Sequence, residues 1–192
     1  MRIALFASGN GSNVEAIIQA SLEGRLDAEI ACLFCDNPHA YVIERAIEHN
    51  IPFFVCAPQQ CATREKWEGF ILSFLETHQV DWIVLAGFMR IIGQPLLNRF
   101  PNRILNIHPS LLPAYPGKDS IKEAFDAKAT HTGVTVHYVD NGIDTGPVIA
   151  QEEVAIQDGW DLETLEEAIH QIEHRLYPEI IQQVTKKECA YS

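Results

Sequence analysis

The run Arg2-Ile-Ala-Leu-Phe-Ala7, followed by Ser8-Gly-Asn-Gly-Ser-Asn13 and then by Val14 to Leu22, decides the fold. Ile3 to Ala7 is apolar without alternation, which suits a strand covered on both faces, as in a parallel sheet. Gly9 and Gly11 mark a turn, and Ser12 or Asn13 is expected to cap a helix running to about Leu22. The same unit then repeats. Residues 29–35 read as a second strand, Asn37-Pro38 as a helix start with the helix reaching about His49, and Ile51 to Val55 as a third strand. Thr63 opens a helix whose apolar positions Trp67, Phe70, Ile71, Phe74 and Leu75 recur at three and four residue steps. Residues 82–86 form a fourth strand, residues 94–100 a short helix, and Ile104 to His108 a fifth strand. Strands alternating with helical crossovers predict an α/β, Rossmann-like, doubly wound and mainly parallel sheet with helices on both faces.

The character changes after Pro113. A loop over Ala114-Tyr-Pro-Gly117 and a short helix over 119–128 precede an alternating strand, residues 132–139. Turn residues fill 140–146, and Pro147 to Ile156 reads as the partner strand, a C-terminal antiparallel element. Asp161 is expected to cap a closing helix with Leu162, Leu165, Ile169, Ile172 and Leu176 on one face. Pro178 is expected to kink or break it, and Lys186 to Ser192 to fray.

Composition bounds the function. With 192 residues, 47% hydrophobic and 21% charged, the chain suits a single folded domain, residues 1–192. A formal net charge of -12 argues against nucleic acid and anionic membrane surfaces as partners. A small anionic substrate remains compatible, because a helix N-terminus can bind it without lysines. Five cysteines at irregular spacing suggest a reducing compartment, and the Cys32-x-x-Cys35 pair lies inside an apolar strand with no completing zinc ligands. No metal is therefore expected. The opening apolar run is too short for a signal peptide, and no run approaches the ~18 apolar residues of a membrane span, so the expected location is the cytoplasm.

Ligands of open parallel sheets bind beyond the carboxyl ends of the strands, near the point where strand order reverses. Three marked stretches fall at such ends: Ser8 to Asn13, Gly87 to Arg90, and Asn106 to Pro109. Asn106 and His108, two apart on a strand, project to the same side. An amide beside an imidazole offers donors to a developing oxyanion and a group that carries protons near neutral pH, which suits acyl transfer. The loop Gly9-Asn-Gly11 begins like a dinucleotide fingerprint, but Val14 occupies its third glycine position. Its backbone with Ser12 and Asn13 is suited to holding one phosphate.

Four blocks, Ser8 to Asn13, Leu85-Ala-Gly-Phe-Met-Arg90, Asn106-Ile-His-Pro-Ser-Leu-Leu-Pro113 and Asp144-Thr-Gly-Pro147, share order and spacing with a known family. Together they resemble the folate-dependent phosphoribosylglycinamide formyltransferases of purine synthesis, over nearly the whole chain. The resemblance implies an enzyme that transfers a formyl group from the co-substrate 10-formyltetrahydrofolate to the amine of glycinamide ribonucleotide. It implies catalytic roles for Asn106 and His108 at the oxyanion, and for Asp144 beside the imidazole. It implies substrate binding by Gly11, Ser12 and Asn13 at the phosphate, and by His170 and Glu173 on the closing helix. The folate pocket would be lined by Arg64, by Met89, Arg90, Ile91 and Ile92, by Asn106, and by Asp140, Asn141, Gly142, Ile143 and Asp144. Residues 1–100 would form the phosphoribosyl-binding half, and residues 101–192 the catalytic and folate-binding half of one formyltransferase domain. The partners implied are the two small molecules, with monomer and homodimer both open. Some members carry a lysine and histidines where this sequence has Ala114 and Lys118-Asp-Ser-Ile121, so no contact is assigned to residues 114–121.

Alternatives differ in what they require. A methionyl-tRNA formyltransferase normally adds a basic C-terminal domain, and a formyltetrahydrofolate deformylase an N-terminal regulatory domain, whereas here the first strand begins at residue 2. A nucleotide- or folate-binding module without turnover has no need of Asn106, His108 and Asp144 together. A nicotinamide-dependent oxidoreductase would need a third glycine at Val14 and a ribose-reading acid, for which only Asp27 and Glu29 stand near the required spacing.

Overall fold

The computed structural model describes residues 1–189, with side chains to Lys187. Its strands are β1 (Arg2–Ala7), β2 (Glu29–Cys35), β3 (Phe53–Val55), β4 (Trp82–Leu85), β5 (Ile104–His108), β6 (His131–Tyr138) and β7 (Val148–Ala155). Its helices are α1 (Ser12–Leu22), α2 (Val42–Glu48), α3 (Arg64–Thr77), α4 (Gln94–Arg99), α5 (Ser120–Asp126) and α6 (Leu162–Cys189). All seven strands form one sheet in the order β3-β2-β1-β4-β5-β6-β7, parallel through β5 and antiparallel for β6 and β7.

The unbroken apolar run of β1 has a direct cause in this arrangement. Ile3, Leu5 and Ala7 point into a core closed by α1, α2 and α6. Ala4 and Phe6 point into a second core closed by Trp67, Ile71 and Leu75 of α3 and Leu96 of α4. Both faces of the central strand are dry, so alternation would have buried polar groups without partners. The chain runs outward from β1 to β3 and then crosses back to β4, so strand order reverses between β1 and β4. That reversal opens the crevice in which the site lies.

Several local expectations are corrected. Gly11, at φ 77°, occupies the N-cap of α1 in place of Ser12 or Asn13. A Cβ at Gly11 would lie 2.4 Å from Val42 Cγ2, so both the backbone angle and the space exclude a side chain. The second helix begins at Val42 rather than at Asn37-Pro38: Asn37 Oδ1 instead accepts from the His39 backbone N–H at 3.0 Å, closing a turn that the sequence pattern reads equally well as a cap. Phe70 is exposed, because the stripe that faces the sheet on α3 is Trp67, Ile71 and Leu75. Helix α6 continues through Pro178 without a break. The missing N–H and the clash of the ring with the preceding turn cost ~3 kcal/mol, which the burial of the adjacent Tyr177, Ile180 and Ile181 offsets. The expected fraying over 186–192 is not seen as far as Cys189, and residues 190–192 lie outside the described residues.

Candidate active site

A cleft of about 750 Å³ opens at the carboxyl edge of β4 and β5. Arg64, Met89, Arg90, Ile91 and Ile92 form one wall; Asn106, His108, Asp140, Gly142, Ile143 and Asp144 lie on the other. Asn141 is absent from the lining, its neighbours on either side being the residues that face inward. The volume falls in the range of small-molecule sites.

Strand β5 delivers the polar pair as the alternation predicts, and the pair has a third and a fourth member. Asp144 Oδ2 stands 3.4 Å from His108 Nδ1 and accepts from the Gly117 backbone N–H at 3.0 Å. His108 Nε2 donates to the Tyr115 carbonyl oxygen at 2.9 Å. Both ring nitrogens thus face oxygen atoms, the Tyr115 carbonyl on one side and the Asp144 carboxylate on the other. The 3.4 Å separation is longer than a charge-assisted hydrogen bond, so the Nδ1 position is not saturated by the carboxylate. Residues 114–121 had no assigned contact, yet the backbone of Tyr115 and Gly117 holds this pair.

His137, missed in the sequence, sits directly across from Asn106 in the β5–β6 register. Burial lowers the pKa of His137 and keeps the ring neutral, against a smaller opposing influence from the Tyr138 carbonyl and Asp144. Its Nδ1 lies 2.8 Å from the Tyr138 carbonyl oxygen, so that nitrogen carries the proton and Nε2 accepts from Asn106 Nδ2 at 3.2 Å. One N–H of the Asn106 amide is thereby fixed, and the side chain lines the cleft. In sequence, His137 reads only as a polar position in an alternating strand; strand pairing makes it part of the site.

The cleft walls are held from behind. Arg90 Nε donates to buried Asp36 at 2.7 Å. Arg64 Nε donates to Glu68 Oε1 at 3.0 Å, and its Nη2 donates to the Ile91 carbonyl. The Asp140 carboxylate accepts from Thr145 Oγ1 and the Gly142 N–H, and these bonds, Thr145's foremost, hold it below the ordinary carboxylate range. Ser8 Oγ accepts from the Met89 N–H at 2.9 Å, which joins the first loop to the 87–90 loop across the switch point.

Gly11, Ser12 and Asn13 are not part of the cleft lining; they stand at the N-terminus of α1, which has no side-chain cap. The first N–H groups of a helix have no partner within it, so this end is open to an anion. Asn13 Nδ2 donates to Glu173 Oε2 at 3.3 Å, while the buried Asn13 Oδ1 has no protein partner. Burial pushes the Glu173 carboxyl up to about 7 against the Asn13 hydrogen bond. His170 is exposed one turn away, its ring stacked on His174 at 6.2 Å, so it stands apart from the Asn13–Glu173 contact. Among the described residues, no group of three or more His, Cys, Asp or Glu is placed to hold a metal, and no helix is long and apolar enough to cross a membrane. Cys32, Cys35, Cys56 and Cys61 are free; the side chain of Cys189 lies outside the described residues.

The open sheet and this cleft define a formyl transferase: the chain belongs to that family, whose model matches residues 1–181. A phosphoribosylglycinamide formyltransferase of Bacillus subtilis (strain 168) is 49% identical over 183 residues, which are 95% of this chain and 94% of that protein. The crystal structure of phosphoribosylglycinamide formyltransferase from Bacillus halodurans matches with a TM-score of 0.94 at 47% identity, covering 98% of this chain and 97% of that one. Glycinamide ribonucleotide transformylase 1 from Geobacillus kaustophilus matches with a TM-score of 0.93 at 53% identity, covering 95% and 97% respectively.

Proposed function

We propose that the protein transfers the formyl group of 10-formyltetrahydrofolate to the amine of glycinamide ribonucleotide, in de novo purine biosynthesis. The observation that carries this reading is the contact of Asp144 with His108 beside an Asn106 amide that His137 orients, all on the wall of a cleft of suitable size. Attack of the neutral amine on the formyl carbon moves the carbonyl electrons onto oxygen. The Asn106 amide and the His108 ring donate to that oxyanion, with the Asp144 carboxylate 3.4 Å from His108 Nδ1. The new C–N bond leaves a surplus proton on the amine. The folate N10 needs one as its bond to carbon breaks, and Asp144 with an ordered water relays it.

We assign the folate ring system to the apolar side chains of Met89, Ile91, Ile92 and Ile143, which line one cleft together with Arg64, Arg90, Asp140, Gly142 and Asp144. Gly11, Ser12 and Asn13 receive the substrate phosphate, and Glu173 its sugar side, with His170 at the periphery. We assign residues 1–100 mainly to the phosphoribosyl end and 101–192 to catalysis and folate, each half lending residues to the other: Arg64 and Met89 to Ile92 in one direction, Glu173 in the other. The two small molecules are the partners, nucleic acid and membranes are not, and the site lies within one chain, as a cytoplasmic monomer or homodimer allows. The test is spectroscopic: ultraviolet-monitored loss of the formyl group with and without glycinamide ribonucleotide. Loss that requires the ribonucleotide is expected; an equal rate without it indicates a deformylase and overturns the reading.

A further inference from the structure

One turn of α2 grips the whole Gly9-Asn10-Gly11 loop. Val42 donates its N–H to the Gly9 carbonyl at 3.1 Å, and its side chain fills the space that a Cβ on Gly11 would need. Arg45, three residues on and so on the same helix face, closes the grip. Its Nε donates to the Asn10 carbonyl oxygen at 2.9 Å and its Nη2 to Asn10 Oδ1 at 2.9 Å, a two-pronged contact with one residue. Its Nη1 donates to Glu15 Oε2 at 3.2 Å. The Tyr41 ring, four residues before, lies 5.0 Å from the guanidinium carbon and supports its other side.

Two consequences follow for an anion at the start of α1. First, a loop with two glycines in three residues has large conformational freedom to lose, and ordering it before ligand arrives removes that cost from binding. Second, Glu15 lies in the first turn of α1, where an ionised carboxylate repels a phosphate. Burial opposes ionisation of Glu15, but hydrogen bonds from Gln19, His49 and Arg45 outweigh it and hold the carboxyl below its ordinary value. The charge is therefore present and must be answered locally; Arg45 does so at 3.2 Å, and the His49 ring is hydrogen-bonded to Glu15 Oε1 at 3.1 Å.

We propose that Arg45 is the positioning residue of the phosphate loop: by locking Asn10 and neutralising Glu15, it presents Gly11, Ser12 and Asn13 to the substrate phosphate preformed. This rests on the assignment of that loop to the phosphate. The guanidinium fork is required, since an ammonium at this position could meet only one Asn10 acceptor with comparable geometry.

The test compares kcat/KM for glycinamide ribonucleotide with that for its dephosphorylated riboside, in wild type, Arg45→Ala and Arg45→Lys. Arg45→Ala should reduce the preference for the phosphorylated form roughly tenfold or more, chiefly through KM for the ribonucleotide, as expected for loss of one or two charge-assisted bonds. KM for the folate should stay within about twofold of wild type, and Arg45→Lys should fall between. A purely structural role would lower both substrates together and leave their ratio unmoved, which would overturn the proposal. Should Arg45→Ala fail to fold, Arg45→Lys and Asn10→Ala are read by the same ratio. A wild-type protein indifferent to the phosphate would overturn the loop assignment itself, whereas a wild-type preference that survives in the variants overturns the role of Arg45 alone.

Discussion

Glu173 couples the stability of this protein to pH, and the size of the coupling follows from its surroundings. The carboxyl is 5% exposed on α6 and meets one donor, Asn13 Nδ2 at 3.3 Å. Burial lifts its pKa from 4.5 to about 7. Between those values the folded chain holds a proton that the unfolded chain has released, so stability falls as pH rises through the window. The contribution is fully present below pH 4.5 and lost above pH 7. At 1.36 kcal/mol per pH unit, the loss amounts to about 3 kcal/mol. Glu173→Gln cannot ionise, and its amide oxygen can still accept from Asn13. The variant should match wild type near pH 4.5 and exceed it by about 3 kcal/mol at pH 8. Urea unfolding followed by the fluorescence of Trp67, Trp82 and Trp160 at pH 5, 6, 7 and 8 measures this. Other titrating groups cancel in the difference between the two proteins. A stability difference constant across that range would refute the argument, and with it the claim that a carboxyl is held in dry surroundings beside Asn13. The same variant should bind glycinamide ribonucleotide less tightly, so stability and function would move in opposite directions.

Asn106→Ala removes the donor that His137 orients and should lower kcat by ~10²–10³ with little change in the KM for folate, measured by formyl transfer under saturating substrates. Asp144→Asn keeps the acceptor to Gly117 but removes the charge beside His108; kcat for formyl transfer should fall while the fold, followed by chemical denaturation, is retained. Gly11→Ala combines φ 77° with a 2.4 Å approach to Val42, so chemical denaturation should show a loss of at least ~2 kcal/mol, with weakened ribonucleotide binding in whatever folds. Tyr177→Phe deletes the buried hydrogen bond from α6 to the Leu85 carbonyl, 2.9 Å, and should cost ~1–3 kcal/mol by the same assay while leaving the reaction unchanged.

The doubly wound sheet was legible because its strands are short apolar runs and its crossovers carry helical periodicity, signals that depend only on neighbours in sequence. The same locality explains where the reading erred. Asn37-Pro38 satisfies the chemistry of a cap whether or not a helix follows at once, and only the approach of Val42 to Gly9 and Gly11 decides that it follows later. Pro178 is a helix breaker by local rules, yet Tyr177, Ile180 and Ile181 bury enough apolar surface to carry α6 through it. Asn106 and His108 could be paired from alternation along one strand, without knowing what stood opposite.

The antiparallel register of β5 and β6 brings His137 to Asn106, thirty-one residues away, and the loop that follows β5 turns the backbone of Tyr115 and Gly117 onto His108 and Asp144. Those contacts bind residues whose order in the chain says nothing of their distance, as do the contacts of Asn13 with Glu173 and of Arg45 with Asn10. Sequence alone could therefore name the strands, the glycine loop and the polar pair, since each is encoded in the spacing of a few adjacent residues. Which side chains orient that pair, which carboxyl loses its water, and which cation holds the loop were decided when packing closed the sheet, because burial and long-range hydrogen bonds exist only once distant segments meet.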